Sequence, residues 1–432
     1  MSDDLNGTQT VIGWVPITAP HLRECPQCGQ PQVVPAMPQA TRAVCLRCET
    51  VLRHTHRGLL AVPLALNLTA LMLFTISAQS ALISVSRAGQ ARVAYLLSGA
   101  VGLNASGMWQ LAALVVFTTF AAPLCKLLGT TAVLVLLQRP QPPPAVRTLF
   151  AWVERLRPWS MIEVYLLSAL IAFVRLGTMV QIAFGPALYS LAALMVMMIA
   201  ADLTLDPNDV WEAMEQRVPL GRPDRRGGGG LPQQRLGCDT CGFVVRRAPG
   251  APCPRCGFAL RERKPDSIGR TWALVIAALT LYVPANAYPV LTINELGVGY
   301  PTTIFGGIRD LLNAGMWPLA AVVFFASIVV PLLKMTGLAT LLISTQFGYR
   351  RHLRDRTRLY RIIESIGRWS MIDIFVGSLL VALLQFGSVV SVLPGPGAIA
   401  FASVVVLTML AARTFDPRLM WDAAGMQLDD FE

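Results

Sequence analysis

The sequence has few charged residues and few histidines. Only 14% of its 432 residues are Asp, Glu, Lys or Arg, whereas 54% are hydrophobic and the mean hydropathy is +0.54. This composition excludes an ordinary soluble domain. Four histidines offer little from which to build a nucleophile and its base, and we find no such constellation, so we expect no enzyme. The phosphate-binding pattern GxxxxGK[ST] is also absent, which argues against ATP hydrolysis by this chain.

The sequence contains eight long apolar runs. Each of the eight runs is near the roughly 20 residues that a helix needs to cross a bilayer. We therefore predict eight transmembrane helices, at residues 59–85, 111–137, 161–176, 179–201, 271–293, 318–344, 374–393 and 398–412. No cleavable signal sequence is expected, because polar residues and a cysteine cluster precede the first run. The first helix would then target the chain to the membrane.

The basic residues fall mainly on one predicted side of the membrane. Thirty of the 36 Lys and Arg residues lie in segments on that side, and four lie on the opposite side. By the positive-inside rule, both termini and the central linker are cytoplasmic. Basic loops beside anionic lipid head groups explain the net charge of +11, so we expect no nucleic-acid partner.

Two sequence blocks occur twice. The first is GMW followed by PxxK and Gly, at residues 107–129 and again at 315–337, an offset of 208. The second is WSMI followed by an acid, at residues 159–163 and 369–373, an offset of 210. Near-constant offsets over separate motifs indicate duplication of a whole module. Because each module has four helices, the two copies are expected to be parallel in the membrane and not inverted.

The predicted organisation follows from this duplication. We place a first metal ribbon at 1–58, a first four-helix module at 59–205 and a cytoplasmic linker with a glycine-rich tether at 206–235. A second ribbon lies at 236–262, a second four-helix module at 263–415 and a tail at 416–432. Residues 290–293 and 301–305 resemble short strands, so we expect small periplasmic β elements between the first and second helices of a module. Only a tight turn is expected between the third and fourth helices.

Eight of the nine cysteines form paired CxxC knuckles on the cytoplasmic side. The first set is Cys25, Cys28, Cys45 and Cys48, and the second is Cys238, Cys241, Cys253 and Cys256. Two CxxC turns complete a closed four-thiolate site, which we interpret as structural zinc, with a rubredoxin-like iron site as the alternative. Disulfides are disfavoured in the reducing cytoplasm. A redox pair would need a single CxxC motif in a βαβ context. Both ribbons precede the first helix of a module, so they belong to the duplicated unit. The remaining Cys125 is predicted to be a small buried hydrophobe.

Two lysines lie inside predicted membrane helices. Lys126 and Lys334 each follow a proline by three residues, and a buried ammonium must pair, reach an interface or face a wet cavity. The acids Glu163 and Asp373 are the predicted partners, and the neighbouring Ser160 and Ser370 would extend each polar site. One interpretation is that each pair only closes a hairpin or that the lysine snorkels. The other is a polar transport site that receives a charged head group or titrates during transport.

The end of each module also repeats, as an Asp-Pro turn followed by a tryptophan. Trp211 and Trp421 are predicted to anchor short amphipathic helices at the membrane interface.

The combination of CxxC ribbons with repeated GMW, PxxK and WSMI[DE] blocks resembles the paraquat-inducible protein A family, over essentially the whole chain. The resemblance implies four-helix units similar to tetraspanins or claudins, capped by zinc ribbons. It also implies an inner-membrane subunit that loads or unloads phospholipid for a periplasmic MCE-domain tunnel protein, and so maintains the outer membrane. Glu49 departs from the pattern, because the other three knuckles are followed by glycine.

Two other functions stay open on the sequence alone. The repeat is compatible with a small-molecule secondary transporter, although such sites usually lie near the bilayer midplane and these charges lie nearer the cytoplasmic ends. The thiolates are compatible with a thiol- or metal-sensing membrane protein, although closed four-thiolate sites favour a structural role.

Overall fold

A computed structural model describes residues 21–35, 41–54, 60–87, 90–176, 181–217, 234–247, 249–295, 298–385 and 390–425. Eight helical segments within these ranges are long and apolar enough to cross a membrane: Ala61–Gln79, Trp109–Leu136, Ala145–Val174, Pro186–Thr204, Ser267–Ala287, Trp317–Gln346, Leu353–Leu383 and Pro396–Thr414. Their number confirms the prediction from hydropathy. The polar leader at 1–20 and the predicted glycine-rich tether lie outside the described residues.

The first half of the chain begins with two hairpins and continues into helices. Its elements are β1 (His21–Glu24), β2 (Pro31–Val34), β3 (Arg42–Val44), β4 (Val51–His54), α1 (Ala61–Gln79), β5 (Ile83–Arg87), β6 (Gln90–Ala94), α2 (Ser98–Ala105), α3 (Trp109–Val116), α4 (Ala122–Leu136), α5 (Ala145–Leu156), α6 (Ile162–Leu176), β7 (Gln181–Phe184), α7 (Pro186–Thr204) and α8 (Pro207–Arg217). Helix α8 occupies the start of the predicted linker.

The second half has nearly the same order of elements. They are β8 (Gln234–Gly237), β9 (Val244–Arg247), α9 (Ser267–Ala287), β10 (Leu291–Glu295), β11 (Val298–Thr302), α10 (Ile304–Asn313), α11 (Trp317–Phe324), α12 (Val330–Gln346), α13 (Leu353–Ile366), α14 (Ile372–Leu383), β12 (Val390–Pro394), α15 (Pro396–Thr414) and α16 (Arg418–Asp422).

Each half contains a small antiparallel sheet of three strands, ordered β6-β5-β7 and β11-β10-β12. The predicted hairpin after the first membrane helix is present, but its second strand ends at Thr302 because Thr303 caps helix α10 by accepting a hydrogen bond from Gly306 N at 3.1 Å. The tight turn predicted between the third and fourth helices was wrong. A strand from that connection joins each sheet, with Ile83 opposite Phe184 in one and Leu291 opposite Pro394 in the other.

Each repeated proline follows a widened turn in the second membrane helix. The backbone is π-helical over Phe117–Ala121 and Phe325–Val329, directly before Pro123 and Pro331. Proline has no N–H to donate to the carbonyl four residues earlier, so the hydrogen-bond ladder shifts at this point. In the first half the amide of Met161 donates to the carbonyl of Thr118 at 3.3 Å, so the second repeated block contacts the first.

The two halves pack together through their third membrane helices. On α6 and α14, the rings of Tyr165 and Phe375 meet edge to face at 5.7 Å, and the Ser168 hydroxyl donates to the Ile372 carbonyl at 3.2 Å. Helix α2 also packs against α14, so closely that a Cβ on Gly99 would lie 2.9 Å from Ser378 Oγ. A single buried core therefore runs across both halves.

Candidate metal centres and membrane polar sites

The eight knuckle cysteines converge into two buried four-sulfur clusters. The ligand atoms of each set all lie within 4.8 Å of one another. In the first cluster the closest sulfur pairs are 3.5 and 3.6 Å apart, and in the second 3.5 and 3.7 Å. Four thiolates at about 2.3 Å from a zinc ion would be separated by about 3.8 Å, so both clusters match a tetrahedral site. Each could hold a metal ion with no open coordination position, which gives it a structural and not a catalytic character.

Left-handed backbone closes every knuckle. Gly29, Gly242 and Gly257 have φ of +73°, +67° and +80°, and each of their amides donates to the carbonyl of the first cysteine of its knuckle at 2.8 to 2.9 Å. Glu49 adopts the same conformation with φ of 61°, which is unfavourable for a residue with a side chain. Its carboxylate accepts a hydrogen bond from Arg358 of helix α13 at 2.8 Å. Glu49, which replaces the glycine of the other knuckles, therefore forms a contact between the ribbon and helix α13.

The thiols of each cluster shift one another's pKa values. Hydrogen bonds from neighbouring thiols, Cys25 first, lower the pKa of Cys48 to about 6. In the second cluster Cys241 does the same for Cys238, whose pKa falls to about 7. Hydrogen bonds from the neighbouring thiols raise the pKa of Cys28 and that of Cys241.

Each ribbon packs on the opposite half of the protein, away from the module that follows it in the sequence. Cys25, Cys28, Cys45 and Cys48 share a buried cluster with residues of α12, α13 and α16. Cys238, Cys241, Cys253 and Cys256 share one with residues of α4, α5 and α8. Small ribbons have too little core of their own, and these helix faces supply the missing apolar surface.

Trp211 and Trp421 lie inside these caps, so the prediction that they anchor at the membrane interface was wrong. They are 2% and 3% exposed. Trp211 packs edge to face on Phe150 at 5.1 Å, and Trp421 Nε1 donates to Thr357 Oγ1 at 3.2 Å. The repeated tryptophan is a core residue that joins a terminal helix to a ribbon and to a membrane helix.

A cavity of about 430 Å³ lies between the two ribbons and the ends of both modules. Arg418 is its central cation and is paired with Asp416 at 3.0 Å, Glu24 at 3.2 Å and Asp239 at 2.8 Å. Burial alone would raise the pKa of Asp416, but the hydrogen bonds and charge of Arg418 outweigh it and hold that pKa below its usual value. The network ties both ribbons to the end of helix α15.

The predicted pair of Lys126 and Glu163 does not form. Lys126 Nζ instead donates to Asp202 of helix α7 at 2.7 Å, and Asp202 also lies 3.5 Å from Arg157. Glu163 is half-buried and lies 3.7 Å from Arg368 of the second half, so it contributes to the contact between the halves. The acid at the start of helix α6 points toward the neighbouring module and away from its own lysine.

The predicted pair of Lys334 and Asp373 does not form either. Lys334 is 1% exposed and donates to the carbonyl of Gly367 at 3.2 Å, and it makes no ion pair among the described residues. Asp373 accepts a short hydrogen bond from Ser327, which lies in the π-helical turn of the second membrane helix. The second half thus has a buried ammonium group with one protein acceptor and a carboxylate held by a hydroxyl.

Ser160 and Ser370 are both buried, at 3% and 1% exposure. Among the described residues, neither hydroxyl oxygen has a hydrogen-bond partner.

A second, mainly apolar cavity of about 50 Å³ lies between the halves, with Asp373 as its one acidic residue. Its walls come from α2 and α3 of the first half and from α10, α14 and α15 of the second, and are formed by Leu103, Leu111, Val290, Leu291, Ile304, Asp373, Ile374, Gly377, Ser378, Val381, Pro394, Ala398 and Phe401.

Sequence reasoning missed Asp202, Ser327 and the charge network of Arg418. Asp202 was detectable as the acid that directly follows the fourth apolar run, and Ser327 as a hydroxyl one turn before a repeated proline. Cys125 was wrongly predicted to be buried, since its side chain is exposed on the outside of helix α4. In an apolar environment an exposed small thiol on a membrane helix faces lipid at little cost.

The family model described as paraquat-inducible protein A matches residues 60–215 and 268–425. The intermembrane transport protein PqiA of Escherichia coli (strain K12) is 32% identical over 399 residues, which cover 92% of this chain and 95% of the relative. The lipophilic envelope-spanning tunnel protein A of the same strain is 30% identical over 401 residues, covering 93% and 91%. A probable intermembrane transport protein of Haemophilus influenzae is 35% identical over 169 residues, covering 39% and 41%. No solved structure matches the chain.

Proposed function

The chain belongs to the paraquat-inducible protein A family, and from that premise we propose that it is an inner-membrane subunit that loads or unloads phospholipid for a periplasmic MCE-domain tunnel protein. Its relatives carry names that describe intermembrane transport and an envelope-spanning tunnel. In this proposal both termini and both ribbons are cytoplasmic, the three-stranded sheets are periplasmic, and the two four-helix modules are parallel repeats. The ribbons hold structural zinc and take no part in chemistry.

The cavity at Asp373 is the observation that carries this proposal. It is lined by helices of both modules, and nearly all of its lining is apolar except for one carboxylate and the Ser378 hydroxyl. Apolar walls with a few convergent polar groups suit an amphiphile that has apolar tails and a polar head. At about 50 Å³ the cavity is far too small for a phospholipid, so loading requires the wall formed by α2 and α3 to move away from α14 and α15.

In this proposal Lys334, Asp373 and Ser370 form the working polar site in the second module, with Ser327 orienting the carboxylate. An ammonium group buried with a single carbonyl acceptor can still donate to a phosphate oxygen or a water molecule. Lys126, Glu163 and Ser160 form the equivalent site in the first module. There the ion pair with Asp202 already satisfies the lysine, which favours a supporting role for that copy.

Lipid exchange in reconstituted vesicles tests this function. The chain and its MCE-domain partner would be placed in proteoliposomes that contain a fluorescent phospholipid, and transfer to acceptor vesicles would be timed. We expect Lys334→Met and Asp373→Asn to slow transfer by about tenfold or more, which corresponds to about 1.4 kcal/mol or more in the barrier. The matched variant Lys126→Met should retain most of the rate, because Asp202 is partly exposed and tolerates the loss of its partner.

Each variant would first be checked for correct assembly by size-exclusion chromatography and metal content. Wild-type transfer rates in a correctly assembled Lys334→Met protein contradict the proposed polar site. Accumulation of a small solute by vesicles that contain this chain alone would instead indicate a secondary transporter.

A further inference from the structure

The two ribbons are exchanged between the halves of the protein, and the contacts are equivalent on both sides. In each ribbon the second knuckle contains an arginine, Arg47 in one and Arg255 in the other. Arg47 lies over the ring of Trp421 at 4.5 Å, and Arg255 lies 5.7 Å from the ring of Trp211. Each knuckle arginine therefore contacts the terminal tryptophan of the opposite half.

Basic residues of α13, at the start of the third membrane span of the second half, complete the contact of the first ribbon. Arg354 donates to the carbonyl of Arg47 at 2.9 Å, and Arg361 donates to that of Cys48 at 3.5 Å. Both acceptors belong to the second knuckle, whose carbonyls take their positions from the fold around the four sulfurs. Helix α13 therefore binds a surface that exists only when this knuckle is formed.

The second ribbon is bound by the corresponding helix of the first half. Arg147 donates to the carbonyl of Pro254 at 3.2 Å, and the guanidinium of Arg155 lies 3.8 Å over the ring of Phe258. Pro254 lies within the second knuckle of that ribbon, and Phe258 lies two residues after it. Helix α5 therefore has the same relation to the second ribbon that α13 has to the first.

Each ribbon is also connected to its own half by an ion pair outside the knuckles. Arg53 of the first ribbon bonds Glu212 of α8 at 2.8 Å, and Arg263, the residue directly after the second ribbon, bonds Asp422 of α16 at 2.6 Å. One ribbon thus contacts both halves at once, with its knuckles on one and its flanking arginine on the other.

We propose that the ribbons form a crossed, metal-dependent clamp: metal in the first site orders α13 of the second module, and metal in the second site orders α5 of the first. Four-cysteine ribbons fold only with metal. Without it, the knuckle carbonyls and the knuckle arginine would no longer be held in the positions in which they contact the opposite half. Coupling of this kind is reciprocal, so docking on the opposite helix also favours metal retention. The clamp holds the cytoplasmic ends of the two modules together and does not depend on what the protein transports.

Hydrogen exchange of the full chain in detergent, measured by mass spectrometry, tests the crossing directly. In Cys25→Ser/Cys28→Ser, we expect exchange in α13 (Leu353–Ile366) to rise by about tenfold, with α5 (Ala145–Leu156) unchanged. The matched variant Cys238→Ser/Cys241→Ser should give the opposite result, with α5 exchanging faster and α13 unchanged. A rise confined to α5 in the first variant, or equal rises in both helices, overturns the proposal.

A second set of variants leaves all cysteines intact, so it stays informative if a cysteine variant fails to assemble. Arg354→Ala/Arg361→Ala should speed exchange in the first ribbon over residues 42–54, and Arg147→Ala/Arg155→Ala should do so in the second over 249–260. Metal content, measured by mass spectrometry after incubation with a mild chelator, should fall by one ion per chain in either variant. Unchanged exchange and full metal retention in both variants contradict the clamp.

Discussion

Lys126 and Lys334 occupy the same place in the two repeats but have different surroundings. Lys126 forms an ion pair with Asp202 at 2.7 Å, whereas the residue at the corresponding place in the second half is Ala412. Among the described residues, Lys334 donates only to the backbone carbonyl of Gly367. The acids differ in the same way: Glu163 faces Arg368 across the contact between the halves, and Asp373 faces Ser327 inside the second half. The duplication therefore produced two copies of a charged site. The lysine of the first copy forms an ion pair, and the lysine of the second copy has a backbone carbonyl as its acceptor.

The largest effect is expected from making the second module resemble the first. Ala412→Asp should give Lys334 the partner that Asp202 gives Lys126, because Ala412 is buried on α15 beside helix α12. We expect lipid transfer to fall by about tenfold or more while the protein stays assembled, since a buried ion pair holds its lysine more tightly than a carbonyl does. Rates would be measured in reconstituted vesicles.

Ala412→Asn is the control, since it adds the same volume without the charge. Equal losses of lipid transfer in the two variants would indicate a packing defect. A wild-type transfer rate in Ala412→Asp would show that Lys334 can function with an ion-pair partner, which contradicts the hypothesis.

The second effect concerns Arg418, whose counterpart in the first half is Asn208. Arg418→Ala removes the nearest cation from the buried carboxylates of Glu24 and Asp416, which should lower the free energy of unfolding of the cap by about 3–5 kcal/mol. Thermal unfolding in detergent measures this loss. The matched Asn208→Ala should cost about 0.5 kcal/mol or less. Equal stability of the two variants would mean that the second half does not depend on this network.

The smallest effect is expected at Glu163. The charged atoms of Glu163 and Arg368 are 3.7 Å apart, and their side chains are 35% and 43% exposed. Because solvent screens such a pair, Glu163→Gln should change the free energy of unfolding by about 1 kcal/mol or less. Lipid transfer should stay near the wild-type rate, in contrast to Asp373→Asn. A strong transfer defect in Glu163→Gln, with normal stability, would show that the acids of the two halves have equivalent roles.

The spans, the hairpin strands and the cysteine clusters could be predicted because each rests on a local pattern. Apolar length decides whether a segment can cross a membrane, and CxxC spacing decides whether sulfurs can meet. Neither pattern depends on how distant parts of the chain pack. The third strand of each sheet was missed because strand pairing across roughly 100 residues, as between Ile83 and Phe184, leaves no local signal in a four-residue segment.

The partners of the charged residues could not be predicted, because they depend on how helices rotate against one another. Glu163 and Asp373 follow the same WSMI block but point in different directions, since only Asp373 meets a hydroxyl in a π-helical turn while Glu163 meets an arginine of the other half. The exchange of ribbons was equally hidden. Proximity in sequence favoured pairing each ribbon with the next module, and the tryptophans that receive the ribbons look like ordinary interface anchors.

The crossing of the ribbons also sets an order for biosynthesis. The first ribbon leaves the ribosome early, but Trp421, on which Arg47 rests, is made roughly 370 residues later. At about 5–20 residues per second this is an interval of about 20–70 s, during which the first knuckles lack their docking surface. The second ribbon has no such interval, because α5 and α8 precede it in the chain. The first ribbon is therefore the part of the newborn chain most exposed to metal loss, and its docking marks the completion of the whole protein.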